Sequence, residues 1–137
     1  MKTIELTFDG YWREINKGGV PSKSGVYCVY SCLFDRQSDR VSIKKLIYVG
    51  ESSNVRLRIT GHERLEDWKR HLRSDETLCY SFAPISDDRD RAEAAIIYMH
   101  EPPENTEYAK NFPFSNTLMK LYGETIGLET EFLCART

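Results

Sequence analysis

Between Gly25 and Phe34 the chain reads "GVYCVYSCLF". Val26, Cys28, Tyr30 and Cys32 fall on one side of an extended strand, and Tyr27, Val29 and Ser31 on the other. The run is rich in Val and Tyr, which predicts a strand. The polar "DRQSDR" follows, then "VSIKKLIYVG" as a second strand, and so short a connection predicts an antiparallel hairpin. "IELTF", closed by Asp9-Gly10, predicts a short first strand, and "GGVPSKSG" a loop. "TLCYSFAPI" predicts a third main strand that stops at Pro84.

The period changes after Gly50. In "ESSNVRLRITGHERLEDWKRHLR", Ser52, Ser53 and Asn54 are all suitable helix N-caps. A helix from about Asn54 puts Arg58 and His62 one turn apart on one face. Gly61 is a point of interruption, and a second helical piece is expected from about Glu63 to Leu72. "SDDRDRAEAAIIYMHE" predicts the clearest helix, capped by Ser86 to Asp88, acidic in its first turn and followed by Pro102. Its apolar stripe is Ala92, Ala95, Ile96 and Met99. The tail, "TIGLETEFLC", suggests one more strand or hairpin. Locally paired strands mixed with helices predict an α+β domain, a small central, mostly antiparallel β-sheet flanked by helices. With no repeat or linker, one domain over residues 1–137 is expected.

Composition narrows the class. The chain has 137 residues, 40% hydrophobic and 29% charged, which fits a globular protein with a real core. No run of apolar residues is long enough to span a bilayer, and "MKTIELTFDG" lacks the apolar stretch of a signal peptide. A cytoplasmic protein with no membrane partner is the expectation. Cys28, Cys32, Cys79 and Cys134 match no zinc spacing and are expected as reduced, buried thiols. The net charge is -2, against indiscriminate nucleic-acid binding. Yet Asn54 to Arg73 carries six cations and three anions, so positive charge gathers there.

Five features then stand in order: Gly25-Val26-Tyr27, Tyr48-Val49-Gly50, Arg58 with His62, Glu93, and Pro102-Pro103-Glu104-Asn105. Each alone is weak, since strand tyrosines usually pack and helical arginines usually face solvent. As a set, from about Ser24 to Asn105, they resemble the GIY-YIG nuclease family. The arginine lies ten positions after the second motif's tyrosine, and His62 stands where the family has His or Tyr.

The resemblance implies a metal-dependent endonuclease hydrolysing phosphodiester bonds in DNA, on a GIY-YIG-like fold. Glu93 is then the ligand of one Mg²⁺ (or Mn²⁺), a cation content with few protein carboxylates. Arg58 binds the phosphate with its planar fork. Tyr27, Tyr48 and His62 share the work of orienting and deprotonating the attacking water, with the base among them open. Gly25, Gly50, Arg56 and Asn105 complete the expected substrate side. The two glycines allow close approach of backbone or phosphate, and the alternative for Asn105 is a helix C-cap. Glu51 does not fit easily, because a carboxylate beside a phosphate repels it. A helix-start role suits its charge better. Trp68 is expected in the core or an interface rather than stacked on a base.

No added DNA-binding module is visible, so specificity on DNA, branched and single-stranded forms included, is expected from a homodimer or a specificity-giving protein partner. The alternative reading is a non-catalytic nucleic-acid-binding or regulatory module on the same fold. A domain serving only protein interactions, through "SDDRDR" and "EPPENTEYAKNFPF", is the third.

Overall fold

The N-terminal strand does not stop at the Asp9-Gly10 turn signal. In the computed structural model, which describes residues 1–137, β1 runs Lys2–Arg13. Ile4, Leu6 and Phe8 alternate inward, and a register shift between Gly10 and Trp12 carries the pairing onward to Arg13 opposite Cys79. Pairing with a neighbouring strand thus overrides the local signal. A 3-10 turn, Glu14–Gly19, leads into β2 (Gly25–Asp35) and β3 (Arg40–Ser52), which form the expected hairpin. Two short helices follow, α1 (Val55–Thr60) and α2 (Leu65–Lys69), then β4 (Thr77–Pro84) and α3 (Arg89–His100). The chain ends in β5 (Thr117–Gly123) and β6 (Glu131–Cys134).

The result is an α+β fold on one six-stranded sheet, ordered β3-β2-β4-β1-β5-β6. All neighbours are antiparallel except β1 and β5, which run parallel. β6 lies within the anticipated tail strand. β5 has no counterpart among the expected elements, although Thr117, Met119 and Leu121 alternate inward along it.

The sheet separates two cores. The larger gathers Ile4, Leu6, Phe8, Cys28, Tyr30 and Met119 beneath α3. The smaller packs Tyr27, Val29, Ile47 and Tyr80 against Val55 and Ile59 of α1 and Trp68 of α2. β2 is therefore buried on both faces from Gly25 to Cys32.

Three expectations need correction. Met99 is 38% exposed, whereas Ala92, Ala94, Ala95, Ile96 and Ile97 are buried. α3 is wedged between β3 and β2 on one side and β5 and β6 on the other, so it buries a broader face than one stripe. Asp88 precedes α3 with φ 62° and makes no side-chain cap; it pairs with Lys2 at 2.5 Å. The cysteines are not all reduced, since Cys32 and Cys79 form a disulfide between β2 and β4. Cys79 sits opposite Tyr30, so the two sulfurs meet diagonally on one face, a proximity that linear spacing cannot reveal. Cys28 and Cys134 are free and buried. No helix is long and apolar enough to cross a membrane.

Candidate active site

The two tripeptide motifs lie side by side. In the β2–β3 register Tyr27 is opposite Gly50, and Val29 opposite Tyr48. Both tyrosines project from the same face as diagonal neighbours, with ring centroids 6.2 Å apart. Gly50 has a steric purpose, because a Cβ there would overlap the Tyr27 ring and its hydroxyl. Gly25 is equally crowded, against the Ala83 carbonyl and the Phe82 ring. Of the two kinds of approach anticipated for these glycines, the neighbours found are protein atoms. β3 is an edge strand, so groups can reach Tyr48 and Gly50 from around the edge as well as across the face.

α1 starts where Asn54 accepts a hydrogen bond from the Leu57 N–H at 3.1 Å. It is short, and Gly61 ends it. His62 therefore lies beyond the helix rather than one turn along it from Arg58, which corrects the shared-face expectation. The two still converge, because the turn after Gly61 folds His62 back onto Tyr27. Arg58 favours the ionised Tyr27 hydroxyl and so opposes the rise of its pKa.

His62 is 8% exposed and packs on Trp68, with ring centroids 4.3 Å apart. Its Nδ1 accepts the Arg64 backbone N–H at 3.0 Å, and its Nε2 lies 3.1 Å from Tyr27 Oη. An Nδ1 that accepts carries no proton, so the neutral ring holds its proton on Nε2 and donates it to Tyr27. Burial, reinforced by Arg58, Arg64 and Lys17, pushes the His62 pKa down to about 4. We expect NMR titration to show His62 neutral at pH 6, with the Nε2–H tautomer. Between the ordinary 6.5 and the folded value the unfolded chain binds more protons, so His62 makes stability rise with pH from about 4 to 6.5. A ring titrating near 6.5 would contradict this geometry.

Burial raises the pKa of Tyr27, and the neighbouring Tyr48 adds to the rise while Arg58 opposes it. Tyr48 is raised by burial and then by Glu93, with Arg64 and Arg58 opposing. Glu93 approaches from α3 and interacts with both tyrosines. Its own pKa is raised to about 8 by burial and then by Glu51, Glu107 and Asp90. Tyr27, Tyr48 and His62 therefore pack together at one edge of the sheet, and the charges of Arg58 and Glu93 act on the tyrosines there.

The remaining anticipated residues have protein partners. Asn105 binds both ways to Val49: Oδ1 accepts its N–H and Nδ2 donates to its carbonyl, each at 2.9 Å. It fixes the strand between the two motif residues and is not the C-cap of α3. Arg56 Nε donates to the Val20 carbonyl at 2.6 Å, tying α1 to the loop before β2. Glu51 pairs with Arg89 at 2.5 Å, and Arg89 also donates to Ser24 Oγ at 2.9 Å. Glu51 thus ends β3 paired with Arg89 rather than sitting at the start of α1, whose N-cap is Asn54. Trp68 is fully buried, in the core as expected.

Sequence reasoning missed Arg64, Glu104 and His71 as supporting residues. Arg64 lies over the Tyr48 ring at 5.4 Å and donates to Glu104 at 2.8 Å, while His71 Nε2 meets Glu104 at 2.7 Å. Hydrogen bonding by His71, helped by Arg64, lowers the Glu104 pKa. The signal available was Glu104 inside the Pro-Pro-Glu-Asn run, paired to a cation-rich segment. Several cations of that segment are neutralised: Lys69 by Glu66, Arg70 by Asp67, and Arg64 by Asp67 and Glu104.

No protein-family model matches the chain, and no curated protein or solved structure matches it either.

Proposed function

We propose that the chain is a divalent-metal-dependent endonuclease that hydrolyses phosphodiester bonds in DNA, with its centre at the β3 edge. The observation that carries the reading is the packing of Tyr27, Tyr48 and His62 from separate elements of the fold, with Arg58 and Glu93 acting electrostatically on the tyrosines. It agrees with the resemblance of these residues to the GIY-YIG nuclease pattern.

The fit of a cation rests on Glu93. No three His, Cys, Asp or Glu side chains gather as a ligand cage. A partly buried carboxylate, repelled by three other acids, favours a hydrated Mg²⁺ that needs one protein ligand and takes the rest from water and phosphate. Bound there, the cation would supply Lewis-acid polarisation of the phosphate and stabilisation of the leaving oxygen.

The chain's own residues do the rest. Arg58 is on hand to bind the phosphate oxygens and to offset charge that develops on them. Tyr27 in its phenolate form takes the proton of the attacking water. The His62 Nε2–H and the Arg58 guanidinium both favour that form, while burial makes it minor at neutral pH. His62 is a poor base, with one nitrogen accepting an N–H and the other protonated. It positions Tyr27 instead. Tyr48 shields the site and orients the water beside Tyr27.

Arg58→Lys keeps the charge and loses the fork. Single-turnover cleavage of labelled duplex DNA with Mg²⁺ should fall roughly 10²-fold in this variant. An unchanged rate would remove Arg58 from the chemistry.

A further inference from the structure

Beside the proposed centre, on the same face of the β2–β3 hairpin, lies a second concavity. It is a cleft of about 540 Å³, walled by Ser31, Lys44, Lys45, His71 and Arg73. A cleft of this size takes a ligand well beyond a bare ion. Lys45 stands opposite Ser31 in the strand register, as Tyr48 stands opposite Val29 and Gly50 opposite Tyr27. Four steps along β2 separate Ser31, opposite Lys45, from Tyr27, which is about 13 Å at the usual rise.

The cleft gathers three cations in one concavity. Most cations flanking the centre are paired, yet Lys44, Lys45 and Arg73 have no carboxylate partner. Asp75 and Glu76 also line the cleft, but Glu76 accepts the Arg73 backbone N–H at 2.9 Å and leaves the guanidinium free. Lys45 Nζ lies 3.5 Å from His71 Nδ1. An ammonium can only donate, so His71 directs its Nε2–H to Glu104. Glu104 in turn holds Arg64, whose backbone N–H fixes His62 against Tyr27. The cleft and the centre are therefore built on one hydrogen-bonded frame.

We propose that the Lys44–Lys45–Arg73 cleft is a second phosphate-binding subsite, which holds the backbone of the same DNA strand a few nucleotides from the bond cleaved at Tyr27. The inference rests on the nuclease reading and extends it to how the strand lies. A spacing of this order lies within a few phosphates along one strand of a duplex. Ammonium and guanidinium groups without a salt-bridge partner suit such phosphates, and seven of the eight lining residues are polar or charged, Leu33 being the exception.

Fluorescence anisotropy of a labelled duplex, with the full chain in EDTA so that no cleavage occurs, tests the subsite. Each lost phosphate contact should lower the slope of log K against log salt by about 0.9. Lys45→Ala/Arg73→Ala should therefore flatten the slope by about two and weaken binding at least tenfold at low salt. Lys45→Arg/Arg73→Lys, which keeps both charges, should restore the slope. An unchanged slope in the alanine variant, with wild type binding normally, would overturn the subsite and leave the central reading intact. Binding lost in Arg58→Ala but not in the cleft variant would overturn the subsite in the same way. No binding by wild type would overturn the nuclease reading itself, and the subsite with it.

Discussion

Glu93→Gln should make the protein more stable and inactive at once. Glu93 is partly buried, with Glu51, Glu107 and Asp90 acting on it, and its pKa stands at about 8 against an ordinary 4.5. Between those two values the folded chain holds a proton that the unfolded chain releases, so folding stability falls as pH rises through that window. At pH 7 the cost is about 3 kcal/mol, because each pKa unit is worth about 1.4 kcal/mol. Glutamine is neutral and close in shape, so it escapes the cost. In the absence of divalent metal its melting temperature should exceed wild type by roughly 5–10 °C at pH 7. The difference should vanish below pH 4.5 and reach its full size above pH 8. Mg²⁺ should stabilise wild type and leave the variant unmoved, since binding to the carboxylate must displace its proton. Metal-dependent cleavage should drop at least 10²-fold. Calorimetry across pH, with and without Mg²⁺, together with cleavage assays, reads all of this. A destabilised variant, or one equally stabilised by Mg²⁺, would remove Glu93 from the metal site.

Gly50→Ala should disturb the site directly. Its Cβ would fall on the Tyr27 ring and hydroxyl, and Tyr27 is 1% exposed with nowhere to retreat. The ring must tilt, which breaks its contact with the His62 Nε2–H. Overpacking of this kind costs roughly 1–3 kcal/mol. A displaced Tyr27 should slow cleavage about 10²-fold. Gly61→Ala is the control, because a Cβ there meets only the Leu57 carbonyl at 3.5 Å, an ordinary contact. Denaturant unfolding and single-turnover rates should separate the two variants clearly. Equal behaviour would show that the Gly50–Tyr27 contact carries no weight.

Tyr27 and Gly50 show what the sequence could and could not convey. Alternation in "GVYCVYSCLF" was enough to assign Tyr27 to one face and Cys28 to the other, and the short connection was enough to pair the strands. It could not tell that Tyr27 lies opposite Gly50, since the hairpin carries two register shifts. The helix after Gly50 was legible from Asn54, but its length was not. Gly61 ends it after a turn and a half, and His62 reaches Tyr27 by a turn that no periodicity describes. Long-range pairs were the hardest. Glu51 with Arg89, Arg64 with Glu104 and Cys32 with Cys79 are each more than thirty residues apart, and each depends on strand order. β5 escaped notice because it joins the sheet by parallel pairing with β1, the most distant strand in sequence.

The central claim is that Tyr27, Arg58 and Glu93 form one hydrolytic centre. Its most direct measurement is the rate of cleavage of labelled duplex, flap and single-stranded DNA against pH, with Mg²⁺ and with EDTA. Wild type should cut at least one of these only when metal is present. The rate should climb with pH, as Glu93 loses its proton near 8 and the Tyr27 phenolate grows. Tyr27→Phe, Arg58→Ala and Glu93→Gln should each reduce it at least 10²-fold. Cleavage that persists in EDTA, or that proceeds equally in wild type and all three variants, would contradict the account.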